Sequence, residues 1–192
     1  MNWTVFDYGE VIVKRTQAIP KLAATMGVAL ADFEPPYWEL RDVYDRGCPD
    51  LEYWSGIGTA LGVGVDKSLS DELTALDIEG WLDVEPSTIE LLEALAEAGV
   101  ALALLSNAPV TMGRVVERQA WAAHFRTLVF SGDLGFAKPD KRIYDFVAAK
   151  LGAEPSDCLF FDDRQVNVDG AVAAGWKAHR WLGAESAKSQ VG

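Results

Sequence analysis

The sequence predicts an α/β protein: a doubly wound, Rossmann-like parallel-sheet core with a small α-helical cap inserted after its first strand. Three observations carry this. Short, largely apolar runs occur at 3–6, 100–105, 128–131 and 159–161, and strands buried on both faces read this way rather than alternating. Amphipathic helical stretches separate the later runs, which is the βα alternation of a parallel sheet with right-handed crossovers. Between residues 14 and 81 the strand signal disappears and only helical spacing remains.

Residues 3–6 form the first strand and end at Asp7, with a second apolar run at 11–13. Helical patterning then covers 19–26, 33–44, 51–61 and 69–78, with apolar residues three or four apart as in Leu22 and Met26. Pro35–Pro36 is expected to start or kink a helix. From 87 the order Ser87-Thr88-Ile89-Glu90 has the spacing of a capping box, and Gly99 supplies a left-handed stop. The strand at 100–105 is followed by a helix at 109–123, a strand at 128–131 and a helix at 139–151 that buries Ile143, Phe146, Val147 and Leu151. A strand at 159–161, a helix at 166–174 stopped by Gly175 and an edge strand at 177–181 complete the core. The small, polar tail from Ala184 is expected to fray. The core therefore comprises 1–13 and 82–192, and the cap 14–81.

With 192 residues, 49% of them hydrophobic, the chain can bury a full core. It has no apolar stretch of membrane-spanning length and no leader-like beginning. Cys48 and Cys158 are too few for a disulfide framework or a zinc site. The net charge of −12, without a basic cluster, repels nucleic acid and anionic membranes. A cytoplasmic protein, monomeric or homodimeric, that acts on a small molecule is expected.

Four short stretches each place a polar group directly after an apolar run, where open α/β sheets bind ligands. Asp7 ends the first strand and is followed by Tyr8 and the flexible Gly9; a carboxylate here attacks phosphorus, holds a metal, or merely ends a strand. Ser106 and Asn107 end the second, as turn or helix-capping residues or as holders of phosphoryl oxygens. Lys138, before Pro139, is either a surface lysine or a point charge for a nucleophile and phosphate. Asp162–Asp163 is the strongest signal, because two adjacent acids at a strand end repel unless a cation compensates. With only oxygen donors on offer, that cation is Mg²⁺. Asn167, one turn later, is placed to orient the pair. The aromatic group Tyr37, Trp38, Tyr44, Tyr53 and Trp54 either packs the cap against itself or stacks on a sugar.

In this order and spacing, Asp7-Tyr8-Gly9, Ser106-Asn107, Lys138-Pro139 and Asp162-Asp163 resemble the four motifs of the haloacid dehalogenase superfamily, subfamily IA. Val11-Ile12-Val13, residues 131–135, Lys138-Pro139 with Arg142-Ile143-Tyr144, and residues 160–167 look like its α-glucose-1-phosphatase-like branch, which is related to the epoxide hydrolase N-terminal phosphatase. The resemblance implies an aspartyl-phosphate on Asp7 and Mg²⁺ held by Asp7, the Gly9 carbonyl and the Asp162/Asp163 pair, with Asp163 the direct ligand. It also implies that Ser106, Asn107 and Lys138 hold the phosphoryl group of a small phosphorylated metabolite, such as a sugar phosphate. One position departs from the pattern. The superfamily's phosphatases carry a second Asp two residues after the nucleophile, as general acid, and here that residue is Gly9. Glu10 or water then supplies the proton, or the leaving group departs unaided. Dehalogenases also lack that Asp, but they lack the acid pair too. Three readings remain: phosphatase, C–X hydrolase, and a degenerate phosphate-binding protein. Arg41 and Arg46 are the cap's candidates for substrate contact.

Overall fold

The four core runs each become a strand of one parallel sheet, whereas the run at 11–13 forms a turn. In a computed structural model, which describes residues 1–191, the strands are β1 (Trp3–Phe6), β2 (Ala101–Ser106), β3 (Thr127–Phe130), β4 (Cys158–Asp162) and β5 (Lys177–Arg180). Their order is β3-β2-β1-β4-β5, so β1 lies at the centre and β5 at an edge. Phe6 is in register with Leu104 of β2 and with Phe161 of β4. The residues that follow, Asp7, Leu105 and Asp162, therefore lie level at the carboxyl edge.

Alternate side chains feed two cores. Phe6, Leu102, Leu104 and Phe161 point to one face, and Val5, Ala103, Leu105 and Phe160 to the other. The first face is covered by α6 (Pro86–Glu97), α7 (Val110–Val116) and the tail helix α10 (Ala184–Lys188); the second by α8 (Lys141–Leu151) and α9 (Gln165–Ala173). The insertion supplies α1 (Ile19–Thr25), α2 (Leu30–Glu39), α3 (Arg41–Asp45), α4 (Asp50–Leu61) and α5 (Lys67–Gly80), around a separate aromatic-rich core.

Several expectations are corrected. Pro35 and Pro36 lie inside α2, which starts at Leu30; the carbonyls they leave without donors belong to exposed Ala31 and Asp32, where water substitutes. The 33–44 segment divides at Leu40 into α2 and α3. The capping box does not form: Pro86 starts α6 one residue before Ser87, and Thr88 is buried with its hydroxyl donating to the Val11 carbonyl at 2.8 Å. The 109–123 segment is helical only to Val116 and resumes as a 3₁₀ turn, Ala120–His124. Tyr144 and Ala148 take the buried face of α8 with Ile143 and Val147, Leu151 packs at its border, and Phe146 turns outward against Phe136. The tail is ordered as α10, since Ala184 and Ala187 are small enough to pack on the first core.

The insertion is tied to the sheet's carboxyl edge. The Ser131 hydroxyl accepts from the Ala108 N–H at 3.0 Å and donates to the Asp45 carbonyl. Gly47 lies against the Gly132 carbonyl so closely that a Cβ at 47 would come within 2.6 Å of it. Asp50 takes hydrogen bonds from Tyr44 within the insertion and from Thr111 of α7. Tyr8, after β1, donates its hydroxyl to the Trp81 carbonyl. These ties close a space between the strand ends and the inserted helices.

Candidate active site

That space is a cavity of about 500 Å³. Asp7, Gly9, Ser106, Lys138 and Asp163 line its floor, and Trp38, Arg41, Asp45 and Trp81 line the opposite wall. All four sequence motifs converge here.

Lys138 organises the floor. Its side chain is completely buried, with Nζ 2.7 Å from Asp7 Oδ1, 2.6 Å from Asp162 Oδ2 and 3.0 Å from the Leu105 carbonyl. Three acceptors match the three protons of an ammonium. Burial alone would lower its pKa, but the carboxylates of Asp162 and Asp7 outweigh that and raise it. The lysine is therefore charged, and no surface residue.

The two acids of the pair have different roles. Asp162 is wholly buried: Oδ1 accepts from the Arg164 N–H at 2.8 Å, Oδ2 faces Lys138, and Asn167 Nδ2 reaches both oxygens at 3.0 Å. Asn167 thus orients Asp162, while its own Oδ1 is buried with no partner among the described residues. Asp163 has no side-chain partner among those residues and lines the cavity. Burial, then Asp162 and Glu10, push its carboxyl up to about 6. Asp7 is pushed further, to about 8, by burial and the Asp162 charge against the pull of Lys138.

The remaining motif residues are also placed. Ser106 is buried at the end of β2 and opens onto the cavity. Asn107 does something the sequence did not suggest. Its Oδ1 accepts from the Lys138 N–H and its Nδ2 donates to the Lys138 carbonyl, both at 2.9 Å, so it latches the lysine loop to the end of β2. Glu10 is the one non-glycine residue described with positive φ, at 57°, and its carboxylate is 4.0 Å from Arg15. The Gly9 carbonyl accepts no hydrogen bond among the described residues.

The aromatic group mostly packs on itself. Tyr37, Tyr44, Tyr53 and Trp54 are buried, Tyr44 and Tyr53 stacking at 3.9 Å, and only Trp38 reaches the cavity. Arg41 also lines the wall, but its Nε is 2.9 Å from Asp45 and its Nη1 is 3.0 Å from both Asp77 and the Tyr37 hydroxyl. Arg46 pairs at the surface with Asp42 and is not part of the wall. Asp45, Trp81 and Ser131 were not found by sequence reasoning. No local pattern marks them, because their roles come from how the insertion meets the sheet.

A carboxylate beside an ammonium, with further acids facing it, leaves a cluster of three acids that a single lysine does not neutralise. The haloacid dehalogenase-like hydrolase family model matches residues 2–175. The chain belongs to this family. Among curated proteins it is similar to the phosphatase MT3486 of Mycobacterium tuberculosis (strain CDC 1551 / Oshkosh), 31% identical over 140 residues, which cover 72% of this chain and 64% of that protein. It is also similar to phosphoglycolate phosphatase 1 of Pseudomonas aeruginosa, 26% identical over 189 residues, covering 89% and 65%. The chain thus spans just under two thirds of these relatives. A haloacid dehalogenase family enzyme from Bacteroides thetaiotaomicron, crystallised with magnesium and inorganic phosphate, shares the fold with a TM-score of 0.74 at 19% identity, over 94% of this chain and 93% of that one. No helix among the described residues is long and apolar enough to cross a membrane.

Proposed function

We propose that this family member is a Mg²⁺-dependent phosphatase that hydrolyses a small phosphorylated metabolite through an aspartyl-phosphate on Asp7. One observation carries the reading: Asp7 has one oxygen engaged by Lys138 at 2.7 Å and the other without a partner among the described residues, in a cavity that it shares with Asp163. Oxygens of Asp7, Asp162 and Asp163 lie within 4.8 Å of one another.

This donor set fits a hard divalent cation, because it is all oxygen and unbalanced by the single lysine. Asp7, Asp163 and the Gly9 carbonyl would hold it. Asp162 is occupied by Lys138, Asn167 and Arg164 and would serve as an anchor, which narrows the expected ligand set. Bound there, Mg²⁺ supplies positive charge to the phosphoryl oxygens. Asp7 forms a bond to phosphorus as the ester oxygen leaves, and water then cleaves the acyl phosphate to regenerate the carboxylate. Lys138 and Ser106 stand where charge on the transferring group needs stabilising.

The phosphatase names of the relatives and the magnesium and phosphate in the Bacteroides neighbour support the reading. The acid pair argues against a dehalogenase, which needs no cation there. The cavity, about 500 Å³, admits a metabolite of sugar or nucleoside size and is too small for a polymer.

Hydrolysis of p-nitrophenyl phosphate is expected to require Mg²⁺. Asp7→Asn should lower kcat by a factor on the order of 10⁴ or more, since losing the nucleophile removes the covalent route. Turnover that survives chelation, or halide release from haloacetates without metal, would replace this mechanism. Phosphate binding without any turnover would make the protein a binding module.

Stability gives a second test. Asp7 and Asp163 have pKa values raised to about 8 and about 6, so the metal-free fold binds protons that the unfolded chain releases. Its stability is therefore fully present at low pH and lost as pH rises through 6 and then 8. Mg²⁺ displaces those protons, so its stabilisation should grow over the same range. At about a hundredfold excess over Kd this amounts to about 2.7 kcal/mol, or about 5–10 °C in Tm. Melting curves with and without Mg²⁺ between pH 5 and pH 8 (on the order of these pKa values) check the sign.

A further inference from the structure

The wall opposite Asp7 has its own chemistry. One guanidinium, Arg41, sits between two carboxylates, Asp45 and Asp77, leaving this buried group with a net negative charge. Arg41 offers little charge to a ligand, because its Nε and Nη1 are already engaged. Two atoms make no hydrogen bond among the described residues: Oδ2 of Asp45 and Nη2 of Arg41. Both residues line the cavity, with side chains 14% and 12% exposed. Asp45 is held at both ends, its side chain by Arg41 and its carbonyl by Ser131, whose hydroxyl also accepts from Ala108 beside the Ser106–Asn107 loop. The wall therefore presents a fixed acceptor and donor, beside the indoles of Trp38 and Trp81, whose rings lie 6.5 Å from each other.

We propose that Asp45, with Arg41, selects a leaving group that is uncharged and carries an O–H or N–H donor, and that it turns away carboxylated leaving groups. This deepens the phosphatase reading and rests on it only in seating the phosphate over Asp7. A carboxylate brought to this wall would face Asp45 and Asp77, with the one guanidinium between them already neutralised. A hydroxyl or ring N–H instead donates to Asp45 Oδ2 and fills its vacant acceptor position. Two rival cations line the cavity: Arg15, half-exposed, 5.0 Å above the Trp38 ring and 4.0 Å from Glu10, and Arg164, exposed beside Asp163 with no side-chain partner among the described residues. Arg15 is partly neutralised by Glu10, and Arg164 follows the Asp162–Asp163 pair on the floor, so neither belongs to the Arg41 group.

The test compares a hexose phosphate, a nucleoside monophosphate and phosphoglycolate, in turnover by the wild type and in calorimetric binding to Asp7→Asn, each with Mg²⁺. Either of the first two is expected to exceed phosphoglycolate; which one leads tells whether sugar hydroxyls or a base N–H supplies the donor. Asp45→Asn keeps the size of the side chain and should reduce that preference by about tenfold or more, the scale of a charged hydrogen bond. A merely structural role would lower all three substrates together and overturn the proposal, as would a wild-type preference for phosphoglycolate lost in Arg15→Ala or Arg164→Ala, or no discrimination in binding. If nothing is turned over but the binding order holds, the phosphatase reading fails and the selectivity of this wall stands.

Discussion

Gly9→Asp is expected to raise kcat for alkyl phosphates by a factor of about 10² to 10⁴, the usual contribution of a positioned general acid. The backbone permits it. Gly9 is absent from the glycines with positive φ, and a Cβ there would meet only the edge of the Trp81 ring, at 3.5 Å, an ordinary van der Waals contact. The position lines the cavity beside Asp7, so the new carboxyl would stand on the leaving-group side. The gain should be greatest for poor leaving groups and nearly vanish for p-nitrophenyl phosphate, whose product needs no proton. A plot of log kcat/KM against leaving-group pKa should thus be steep for the wild type and shallow for the variant. A folded Gly9→Asp with an unchanged slope would mean that the wild type already has a proton donor. Glu10→Gln would then show whether that donor is Glu10.

Lys138→Met should cost about 3–5 kcal/mol of stability, the penalty for removing one partner from a buried ionic cluster. The ammonium separates Asp7 from Asp162, both buried, and nothing else in the structure stands between them and shares its three contacts. Without it the carboxylates must take up protons or repel. The loss should therefore be small near pH 5 and largest at pH 8 (roughly the span of the raised carboxyl pKa values), and Mg²⁺ should recover part of it. Activity should fall by a further factor of about 10² to 10³ beyond any loss of folded protein, as when one charge-stabilising donor is deleted. Chemical denaturation at the two pH values, paired with kcat on the folded fraction, separates the effects. Equal destabilisation at both would show that the carboxylates are not an ionised pair held by the lysine.

Much of this site could be read from the chain. A strand buried on both faces is a continuous apolar run, and the end of each run marks the sheet's carboxyl edge, so Asp7, Ser106 and Asp162 could be placed together before any contact was known. What failed was local signal overridden by packing. The capping box at Ser87 lost to Pro86, whose fixed φ favours the first helical position. Phe146 reads as core by spacing, yet Tyr144 takes the buried place because its hydroxyl reaches the Asn167 carbonyl at 2.7 Å. For Asn107 the sequence offered a turn or cap residue or a ligand contact, and its latch on Lys138 could not be read, because it needs the loop after β3 beside the end of β2.

The sequence by itself determined the class of fold, the family and the floor of the cavity, because those depend on hydrophobic runs and on residue types at their ends, both local properties. Only the tertiary structure decided which acid stays buried under Lys138 and which faces the cavity, and only it brought Asp45, Trp38 and Trp81 over Asp7. Those outcomes come from strand order and from the contacts of the inserted helices with Ser131 and Gly132. Coulomb and hydrogen-bond partners are chosen by distance in space, and nothing in the spacing along the chain encodes that distance.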